Sequence, residues 1–342
     1  MSIEIDLKKI KIGVVGAGSW GTALANLLGL KGFKVTLWVF EQEVKDQIET
    51  LGENKLFLPG VALSSNLFPS NDLAEVVSGK DLLLAVVPSH VMRTTANKMA
   101  DFISQETIIV SASKGIEIKT HLTMSGVLKE TLPEIPAKLF AVLSGPSFAR
   151  EVARQVPTVV TVAAKDQKVA GIVQHVFATP HFRVYTHDDL IGVELGGAVK
   201  NVIAIAAGII DGLGLGLNTR AAMITRGLAE IRRLGVKLGA KPLTFAGLAG
   251  VGDLVLTCTG DLSRNHTVGK KIGQGKKLEE ILAEMRMVAE GVKTARSVYN
   301  LSCRLGVEMP ISHAVFNILY KGLSPQKALH SLMTRDLKQE ME

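Results

Sequence analysis

The sequence predicts an α/β domain built on a doubly wound, mainly parallel sheet, followed by an all-α C-terminal domain. Short β-branched runs alternate with helical stretches from Ile10 to about Thr186, and this alternation is typical of βαβ units. Several runs are apolar nearly throughout, as strands are when helices cover both faces of their sheet. The β-rich runs stop after about Asp188. We therefore expect a first domain over residues 1–189 and a helical domain over residues 190–342.

Seven segments of the first domain are predicted as strands from their β-branched and apolar composition. They are Lys11–Val15, Lys34–Val39, Leu82–Val87, Thr107–Ser111, Phe140–Ser144, Thr158–Val162 and Phe182–Tyr185. Six helices are predicted in the second domain. They are Ile191–Asp211, Thr219–Leu234, Leu278–Met285, Lys293–Leu305, Pro310–Tyr320 and Ser324–Thr334. The Gly-, Asn-, Ser- and Thr-rich segment Leu243–Gly275 is expected to be a loop, where binding residues tend to lie.

Length and composition describe an ordinary globular chain with an excess of positive charge. The 342 residues suffice for two domains, and 47% hydrophobic with 21% charged residues excludes disorder. The 39 Lys and Arg against 32 Asp and Glu give a net charge of +7, which points to an anionic partner. The sign of the charge does not choose among nucleic acid, a membrane surface and a small anion, although scattered cations and only 5% aromatic residues count against nucleic acid.

The remaining composition points to the cytoplasm. Cys258 and Cys303 are the only cysteines, too few for a disulfide framework and without a CxxC metal signature. No signal peptide is visible in the first ten residues, MSIEIDLKKI. The most apolar stretch, Val202–Ile210, has nine residues, whereas a membrane-spanning helix needs about 20. We expect a buried helix, no membrane insertion and no metal.

A glycine-rich turn follows the first predicted strand. Gly16, Gly18 and Gly21 form GxGxxG within GAGSWG, and an apolar helix begins there. Gly16 allows a tight turn, Gly18 lets a pyrophosphate approach the backbone, and Gly21 lets helix and strand pack closely. The alternative is a purely structural turn. The strand, the glycines, the helix and the second strand together favour a Rossmann-like dinucleotide site.

The end of the second strand bears on which dinucleotide binds. Glu41 follows Lys34–Val39, where a carboxylate would accept hydrogen bonds from the ribose hydroxyls and disfavour a 2′-phosphate. Phe40 can pack on adenine but cannot pair with a phosphate, and no Arg stands beside it. Of the two cofactors, NAD and NADP, these residues favour NAD. The alternative is that Glu41 is a solvated acid at a helix start.

Polar clusters follow three strands, at the edge where ligands bind in open α/β sheets. They are Pro88-Ser89, Ser113-Lys114-Gly115 and Ser144-Gly145-Pro146-Ser147. Lys114 is their only cation, so it is a candidate ligand for an anion. The alternatives are an ordinary surface lysine and residues that merely form turns.

Further candidates lie in the second domain. Lys200 is a cation among small and apolar residues, so it is paired, open to a cleft, or shifted in pKa toward neutrality, where it can exchange a proton. The alternative is a lysine that reaches solvent. Asp253 lies in a Gly-rich stretch, and Arg264 between Ser263 and Asn265 can form a fork for phosphate or carboxylate. The alternative for Ser263, Arg264 and Asn265 is a simple turn.

The assembled motifs resemble glycerol-3-phosphate dehydrogenases of the bacterial NAD(P)-dependent type. The resemblance spans most of the chain in the order typical of that family, and the last three blocks are the most specific. The blocks are Gly16–Gly21, Asn54–Gly60, Val87–Ser89, Ser113–Gly115, Ser144–Ser147, Val193–Ala207, Asn218–Gly227 and Ala246–Asn265. One departure is that Phe40 and Glu41 stand where many members have Arg or His, which argues against NADPH.

The resemblance implies a reversible hydride transfer between NAD(P)H and C2 of dihydroxyacetone phosphate, which supplies sn-glycerol 3-phosphate for phospholipid synthesis. It implies Lys200 as the proton donor and acceptor, with Lys114 and Asp253 beside the reacting groups and Thr257 and Asn201 near them. The implied phosphate ligands are Arg264, Asn265, Ser263, Gly145 and Ser147. The implied dinucleotide contacts beyond the glycines are Ser19, Trp20, Lys114, Ala149, Arg264, Val288 and Glu290.

Two other functions remain open at this point. A related dehydrogenase of β-hydroxyacids or of ketoacids such as ketopantoate would use a carboxylate clamp in place of a phosphate clamp. A nucleotide-sensing regulator could bind DNA through the basic surface, although no helix shows a dense basic face. The helical domain could also pair with a second copy, so the sequence leaves a homodimer possible.

Overall fold

The first part of the chain folds around one eight-stranded sheet. The computed structural model describes residues 6–7, 9–285, 288–337 and 339–340. The strands are β1 (Ile12–Val15), β2 (Val35–Trp38), β3 (Leu67–Ser70), β4 (Leu82–Ala85), β5 (Ile108–Ser111), β6 (Phe140–Ser144), β7 (Thr158–Ala164) and β8 (Phe182–His187). Their order is β3-β2-β1-β4-β5-β6-β7-β8, and every pair is parallel except β6 with β7. The predicted doubly wound, mainly parallel sheet is confirmed.

The edge strand β3 escaped prediction. Its sequence, LFPS, contains Pro69, and it pairs with β2 alone. Proline cannot donate a backbone hydrogen bond, so it is confined to edge strands, where one side needs no partner. A four-residue run with a proline and an exposed Phe68 therefore shows neither the length nor the apolar pattern of a buried strand.

Helices cover both faces of this sheet. They are α1 (Ser19–Leu30), α2 (Gln42–Leu51), α3 (Leu73–Val77), α4 (Met92–Met99), α5 (Met124–Thr131), α6 (Ala149–Ala153) and α7 (Gln167–Phe177). Strands β1, β4, β5 and β6 are buried at every residue. Together with α1, α5 and α7 they form one hydrophobic core. The carboxyl ends of these strands are thereby held rigidly at one edge of the sheet.

The second part is helical and is organised around one central helix. Its helices are α8 (Leu190–Gly212), α9 (Gly216–Lys237), α10 (Asp253–Thr259), α11 (Arg264–Gly273), α12 (Leu278–Ala283), α13 (Glu290–Leu305), α14 (Pro310–Lys321) and α15 (Pro325–Met333). Pro310 occupies the first turn of α14, as predicted. The expectation of a loop over Leu243–Gly275 is wrong, because that segment holds α10, α11 and the π-helical turn Leu248–Gly252.

The glycines of that segment serve close packing and do not mark a loop. A Cβ atom at Gly269 would lie 2.0 Å from the Ile205 carbonyl oxygen of α8, and one at Gly208 would lie 2.1 Å from the His266 carbonyl oxygen of α11. Gly212 and Gly273 make the same kind of contact one turn further along. Because contacting residue numbers rise together on both helices, α8 and α11 run parallel with their backbones touching.

Helix α8 also joins the two parts of the chain. Leu190 and Val193 form a small core with Val142 and Ala163 of the sheet. By length and composition α8 could cross a membrane, and within the described residues it is the one helix that could, yet its most apolar 18-residue stretch is wholly buried inside the protein. It is therefore the buried helix expected around Val202–Ile210. The domain division after residue 189 stays a prediction.

Candidate active site

Three charged side chains meet between the sheet and the helical part. The Lys200 ammonium of α8 donates hydrogen bonds to the Asp253 carboxylate and, over 2.7 Å, to Thr257 Oγ1. Lys114 Nζ donates to the other Asp253 oxygen over 2.8 Å and to the Gly145 carbonyl oxygen over 3.3 Å. One carboxylate is thus shared by two amino groups, and the cluster carries one net positive charge when both of them are protonated.

Burial tunes the proton affinity of Lys200. The residue is 5% exposed and Asp253 is 0% exposed. Removal from water lowers the pKa of Lys200 to about 7, an effect that Lys114 reinforces and that the charge of Asp253 opposes. An amine with a pKa near 7 can both give and take a proton at neutral pH. The structure shows Lys200 as a paired and buried lysine, not as one that reaches solvent.

The fold brings these groups together from four elements. Lys114 follows β5, Gly145 follows β6, Lys200 lies on α8, and Asp253 begins α10. Close approach of α8 to the turn before Asp253 requires glycine, because a Cβ atom at Gly196 would lie 2.2 Å from the Ala249 carbonyl oxygen. The carboxyl edge of the sheet, where ligands bind in such folds, thus faces the buried lysine of the helical part.

A second group of side chains lies next to Lys200 at the start of α11. Asn265 Nδ2 donates to Asn201 Oδ1 over 3.0 Å, and Asn265 Oδ1 accepts from the Gly291 amide over 2.9 Å. Arg264 precedes Asn265 and is exposed. None of the residues that the structure describes forms a hydrogen bond or an ion pair with its guanidinium. Protein atoms on the remaining sides lower the pKa of Arg264, although nearby Glu290 raises it.

The hydroxyl groups predicted as phosphate ligands are already engaged. Ser263 is buried and caps α11, where its Oγ accepts from the His266 amide over 3.2 Å. Ser147 Oγ donates to the Gly145 carbonyl oxygen over 2.9 Å. The hydroxyl hydrogen of Ser263 and the lone pairs of Ser147 are still available to a ligand. Arg264 is the candidate with the most unused donors.

The glycine-rich turn has the geometry that a dinucleotide requires. Gly16 has a φ of 120°, and a Cβ atom at Gly21 would lie 1.9 Å from the Gly16 carbonyl oxygen, so both positions need glycine. A Cβ atom at Gly18 would meet nothing within 4 Å. Gly18 is therefore not needed for internal packing and borders open space at the start of α1, whose first turn carries no acidic side chain. A pyrophosphate fits such a place.

The other predicted dinucleotide contacts surround this turn. Trp20 packs with Leu58 and Ala149 in one apolar cluster, and its buried Nε1 has no partner among the residues that the structure describes. Ser19 Oγ donates to the Phe57 carbonyl oxygen over 2.6 Å. These residues lie around the start of α1, which Gly18 precedes. Their arrangement fits a nucleotide, because the apolar cluster and the open space lie side by side.

The end of β2 presents an aromatic ring and a carboxylate. Phe40 is 75% exposed, and its ring meets that of Trp38 edge to face with ring centroids 6.0 Å apart. Glu41 directly precedes α2 and its carboxylate does not cap that helix. The Phe40 ring is therefore open to a ligand, and the partly exposed Glu41 carboxylate has no capping role in α2.

Helix α13 brings a carboxylate to the sheet edge. Glu290, its first residue, accepts hydrogen bonds from the Ser89 hydroxyl over 2.6 Å and the Ser89 amide over 3.3 Å. Ser89 follows β4, so Glu290 links the helical part to the carboxyl ends of the strands. Val288, just before α13, is exposed. The predicted contacts Val288 and Glu290 therefore lie on the segment that reaches this edge.

Sequence reasoning missed two carboxylates, the buried Glu194 and the partly buried Asp211. Glu194, one and a half turns before Lys200 on α8, accepts hydrogen bonds from the Ser125 amide and hydroxyl of α5. Asp211, at the end of α8, is hydrogen-bonded to His266 of α11. A carboxylate within an apolar helix was a usable signal for Glu194. Nothing local in the sequence connects Asp211 to His266, because the two are separated by 55 positions.

Comparison with known proteins identifies the family. Residues 11–170 match the family model described as NAD-dependent glycerol-3-phosphate dehydrogenase N-terminus, and residues 189–330 match its C-terminus. Glycerol-3-phosphate dehydrogenase [NAD(P)+] of Geobacter sulfurreducens is 58% identical over 96% of this chain and 98% of its own length, and that of Citrifermentans bemidjiense is 59% identical over the same shares.

A solved structure agrees with these relatives. The crystal structure of glycerol-3-phosphate dehydrogenase from Coxiella burnetii, at 2.1 Å resolution, superposes with a TM-score of 0.92 at 41% identity, covering 96% of this chain and 99% of that one. Both parts of the molecule and nearly all of its length are included in these matches. The chain belongs to the NAD-dependent glycerol-3-phosphate dehydrogenase family.

Proposed function

We propose that this chain catalyses the reversible transfer of a hydride between NAD(P)H and C2 of dihydroxyacetone phosphate, forming sn-glycerol 3-phosphate. The observation that carries the proposal is the buried Lys200–Asp253–Lys114 cluster beside the open guanidinium of Arg264. A proton donor and an anion-binding group then lie on adjacent helices, α8 and α11. A ketone that bears a phosphate needs both.

Lys200 is the group that moves the proton. When carbonyl C2 becomes an alkoxide, the Lys200 ammonium gives its proton to that oxygen, and in the reverse direction the neutral amine takes the hydroxyl proton. Its pKa of about 7 suits both directions. Lys114, 2.8 Å from the shared Asp253 carboxylate, adds a positive charge that stabilises the developing alkoxide more than the neutral carbonyl.

Asp253, Thr257 and Asn201 orient the donor. Asp253 and Thr257 hold the Lys200 ammonium from two sides, and Asn201 links α8 to Asn265. The Arg264 guanidinium, with Asn265 and the hydroxyls of Ser263 and Ser147, binds the phosphate as an orienting handle. Binding energy from that non-reacting group holds C2 in position for reduction.

When bound, the nicotinamide supplies or accepts the hydride. The turn of Gly16, Gly18 and Gly21 with Ser19 and Trp20 would hold the dinucleotide, together with Ala149, Val288 and Glu290. Phe40 and Glu41 favour NAD over NADP, because neither can pair with a 2′-phosphate and Glu41 would repel it. With the domain division that we propose after residue 189, the glycine-rich turn lies in the first domain and Arg264 in the second, and both domains contribute residues to each ligand.

The cellular role follows from the product. We assign the chain to the cytoplasm, where its glycerol 3-phosphate would enter phospholipid synthesis. The reaction needs a small phosphate-bearing substrate and neither nucleic acid nor membrane insertion. We also propose a homodimer, and sedimentation of the purified chain tests it.

One steady-state assay tests substrate and reaction together. We expect oxidation of NADH with dihydroxyacetone phosphate and far less with ketopantoate, which offers a carboxylate in place of a phosphate. The Lys200→Ala variant should fold normally and lose turnover by orders of magnitude. Turnover near that of the unmodified enzyme in this variant would remove Lys200 from its role, and preference for ketopantoate would favour the rival dehydrogenase.

A further inference from the structure

A polar cluster next to the Arg264 turn has no part in the reaction described above. Asp211 lies near the end of α8, Arg220 in the first part of α9 and His266 in the first turn of α11. His266 Nε2 donates to Asp211 Oδ2 over 2.8 Å, and Arg220 Nη1 donates to the same oxygen over 3.0 Å. One carboxylate oxygen therefore joins three helices.

The cluster is shielded enough to hold its geometry. The side chain of His266 is 9% exposed, that of Asp211 19% and that of Arg220 26%. Hydrogen bonds to a charged group are shorter and stronger than neutral ones, and partial burial spares this cluster the screening that makes fully exposed ion pairs weak. Its three members come from the block Asn218–Gly227 and from the two helices beside it.

His266 is fixed at both its backbone and its side chain. Ser263 Oγ accepts from the His266 amide, and Asp211 accepts from the His266 ring. Arg264 and Asn265 lie between Ser263 and His266 in the sequence, so they sit in a turn whose two ends are both restrained. The position of the Arg264 backbone is thereby tied to the end of α8.

The charge of Asp211 also favours its pairing with Arg220 and His266. An unpaired Asp211 carboxylate next to the first turn of α11 would repel a phosphate dianion that approaches Arg264. Arg220 balances that charge, and the hydrogen bond from His266 keeps the carboxylate directed at these partners. The cluster therefore reduces the repulsion between Asp211 and the substrate phosphate, and it also restrains the turn that carries Arg264.

We propose that Asp211, Arg220 and His266 are positioning residues that hold the Arg264 turn in place for the substrate phosphate. This inference rests on the proposed function, because it takes Arg264 as the phosphate ligand. None of the three touches the substrate. The proposal gives a role to the block Asn218–Gly227, which supplies no residue to the reaction itself.

The test compares two substrates that differ only in the phosphate. In His266→Ala we expect kcat/KM for dihydroxyacetone phosphate to fall about tenfold, within the loss of up to about 100-fold that a displaced binding group can cause. The fall should appear in both KM and kcat, because the bound phosphate also orients C2 for reduction. The kcat/KM for dihydroxyacetone, which lacks the phosphate, should stay the same. His266→Gln, whose amide can still donate to Asp211, should recover part of the loss.

Arg264→Ala separates this proposal from the proposed function. It should depress kcat/KM for dihydroxyacetone phosphate far more than that for dihydroxyacetone, which has no phosphate for Arg264 to bind. In the Arg264→Ala background, adding His266→Ala should cause no further loss, because its effect acts through Arg264. If Arg264→Ala alone has no effect on the phosphate substrate, the phosphate site of the proposed function is wrong.

A matched control addresses stability. Glu230 of α9 is a buried carboxylate that accepts from the Ile311 and Ser312 amides at the start of α14, so Glu230→Gln also loosens two helices of the same domain. We expect it to lower the melting temperature without changing the ratio of the two substrates. The proposal is overturned if His266→Ala, or Asp211→Asn as a second variant, lowers kcat/KM for both substrates equally or for neither.

Discussion

Replacing Asp253 by Asn should move the pH dependence of the reaction in a direction that the geometry dictates. Asp253→Asn keeps the size of the side chain and removes the negative charge that Lys200 and Lys114 share. Burial already lowers the pKa of Lys200 to about 7, and Asp253 is the group that opposes this effect. Without it, the pKa of Lys200 should fall further.

The magnitude follows from the charge that is lost. Two unit charges about 4 Å apart attract by about 4 kcal/mol at an effective dielectric constant of about 20, equivalent to about three pKa units. Because Asp253 divides its attraction between two lysines and the Asn dipole replaces part of it, we expect a decrease of about one to two units. At a pH above both pKa values, each unit reduces the protonated fraction of Lys200 about tenfold.

The assay is kcat/KM for dihydroxyacetone phosphate at saturating NADH, measured from about pH 5 to about pH 9. Reduction needs the Lys200 ammonium, so the rate should fall above about pH 7 in the unmodified enzyme and at a lower pH in Asp253→Asn. Oxidation of glycerol 3-phosphate needs the neutral amine, so its rising limb should move to lower pH as well.

Thr257→Val is the matched control, because it removes a hydrogen-bonding neighbour of Lys200 without removing a charge. The falling and rising limbs of its pH–rate profiles should shift much less than those of Asp253→Asn. If the limbs of Asp253→Asn stay in place or move to higher pH, the assignment of the limb to Lys200 is refuted.

Three further predictions concern backbone contacts and cofactor choice. Gly269→Ala should lower the free energy of unfolding by about 1–3 kcal/mol through overpacking against α8. Gly171→Ala, at a position on α7 with open space around it, should not lower it. Thermal unfolding of both variants measures the difference. Gly18→Ala should melt like the unmodified protein yet raise the Kd for NADH about tenfold, read by fluorescence titration. Phe40→Arg should raise kcat/KM for NADPH relative to NADH, and an unchanged ratio would contradict the cofactor argument.

The sheet and the central helix could be predicted because their signals are local. Apolar runs such as Leu82–Ala85 indicate strands that helices cover on both faces of the sheet. The spacing of Gly16, Gly18 and Gly21 indicates a tight turn that a pyrophosphate can approach. Lys200 could be singled out for a related reason, since an ammonium within an apolar helix conflicts with its surroundings unless it has a partner.

What escaped prediction depends on contacts between distant residues. Gly269 and Gly273 favour a loop in the sequence, because glycine lowers helix propensity and nothing nearby shows that α8 lies against them. Strand β3 was missed because its pairing with β2, and not its own composition, makes it a strand. The bond between Asp211 and His266 likewise exists only once α8 and α11 are side by side.

The glycine contact between α8 and α11 bears on the size of the substrate. Backbones in direct contact leave no compressible layer of side chains, so the two helices cannot slide apart or together without breaking the packing. Lys200 and Arg264 are therefore held at a fixed separation along one rigid pair. We expect the enzyme to accept phosphate esters whose ketone lies the same number of bonds from the phosphorus, and to discriminate against shorter and longer homologues by length alone.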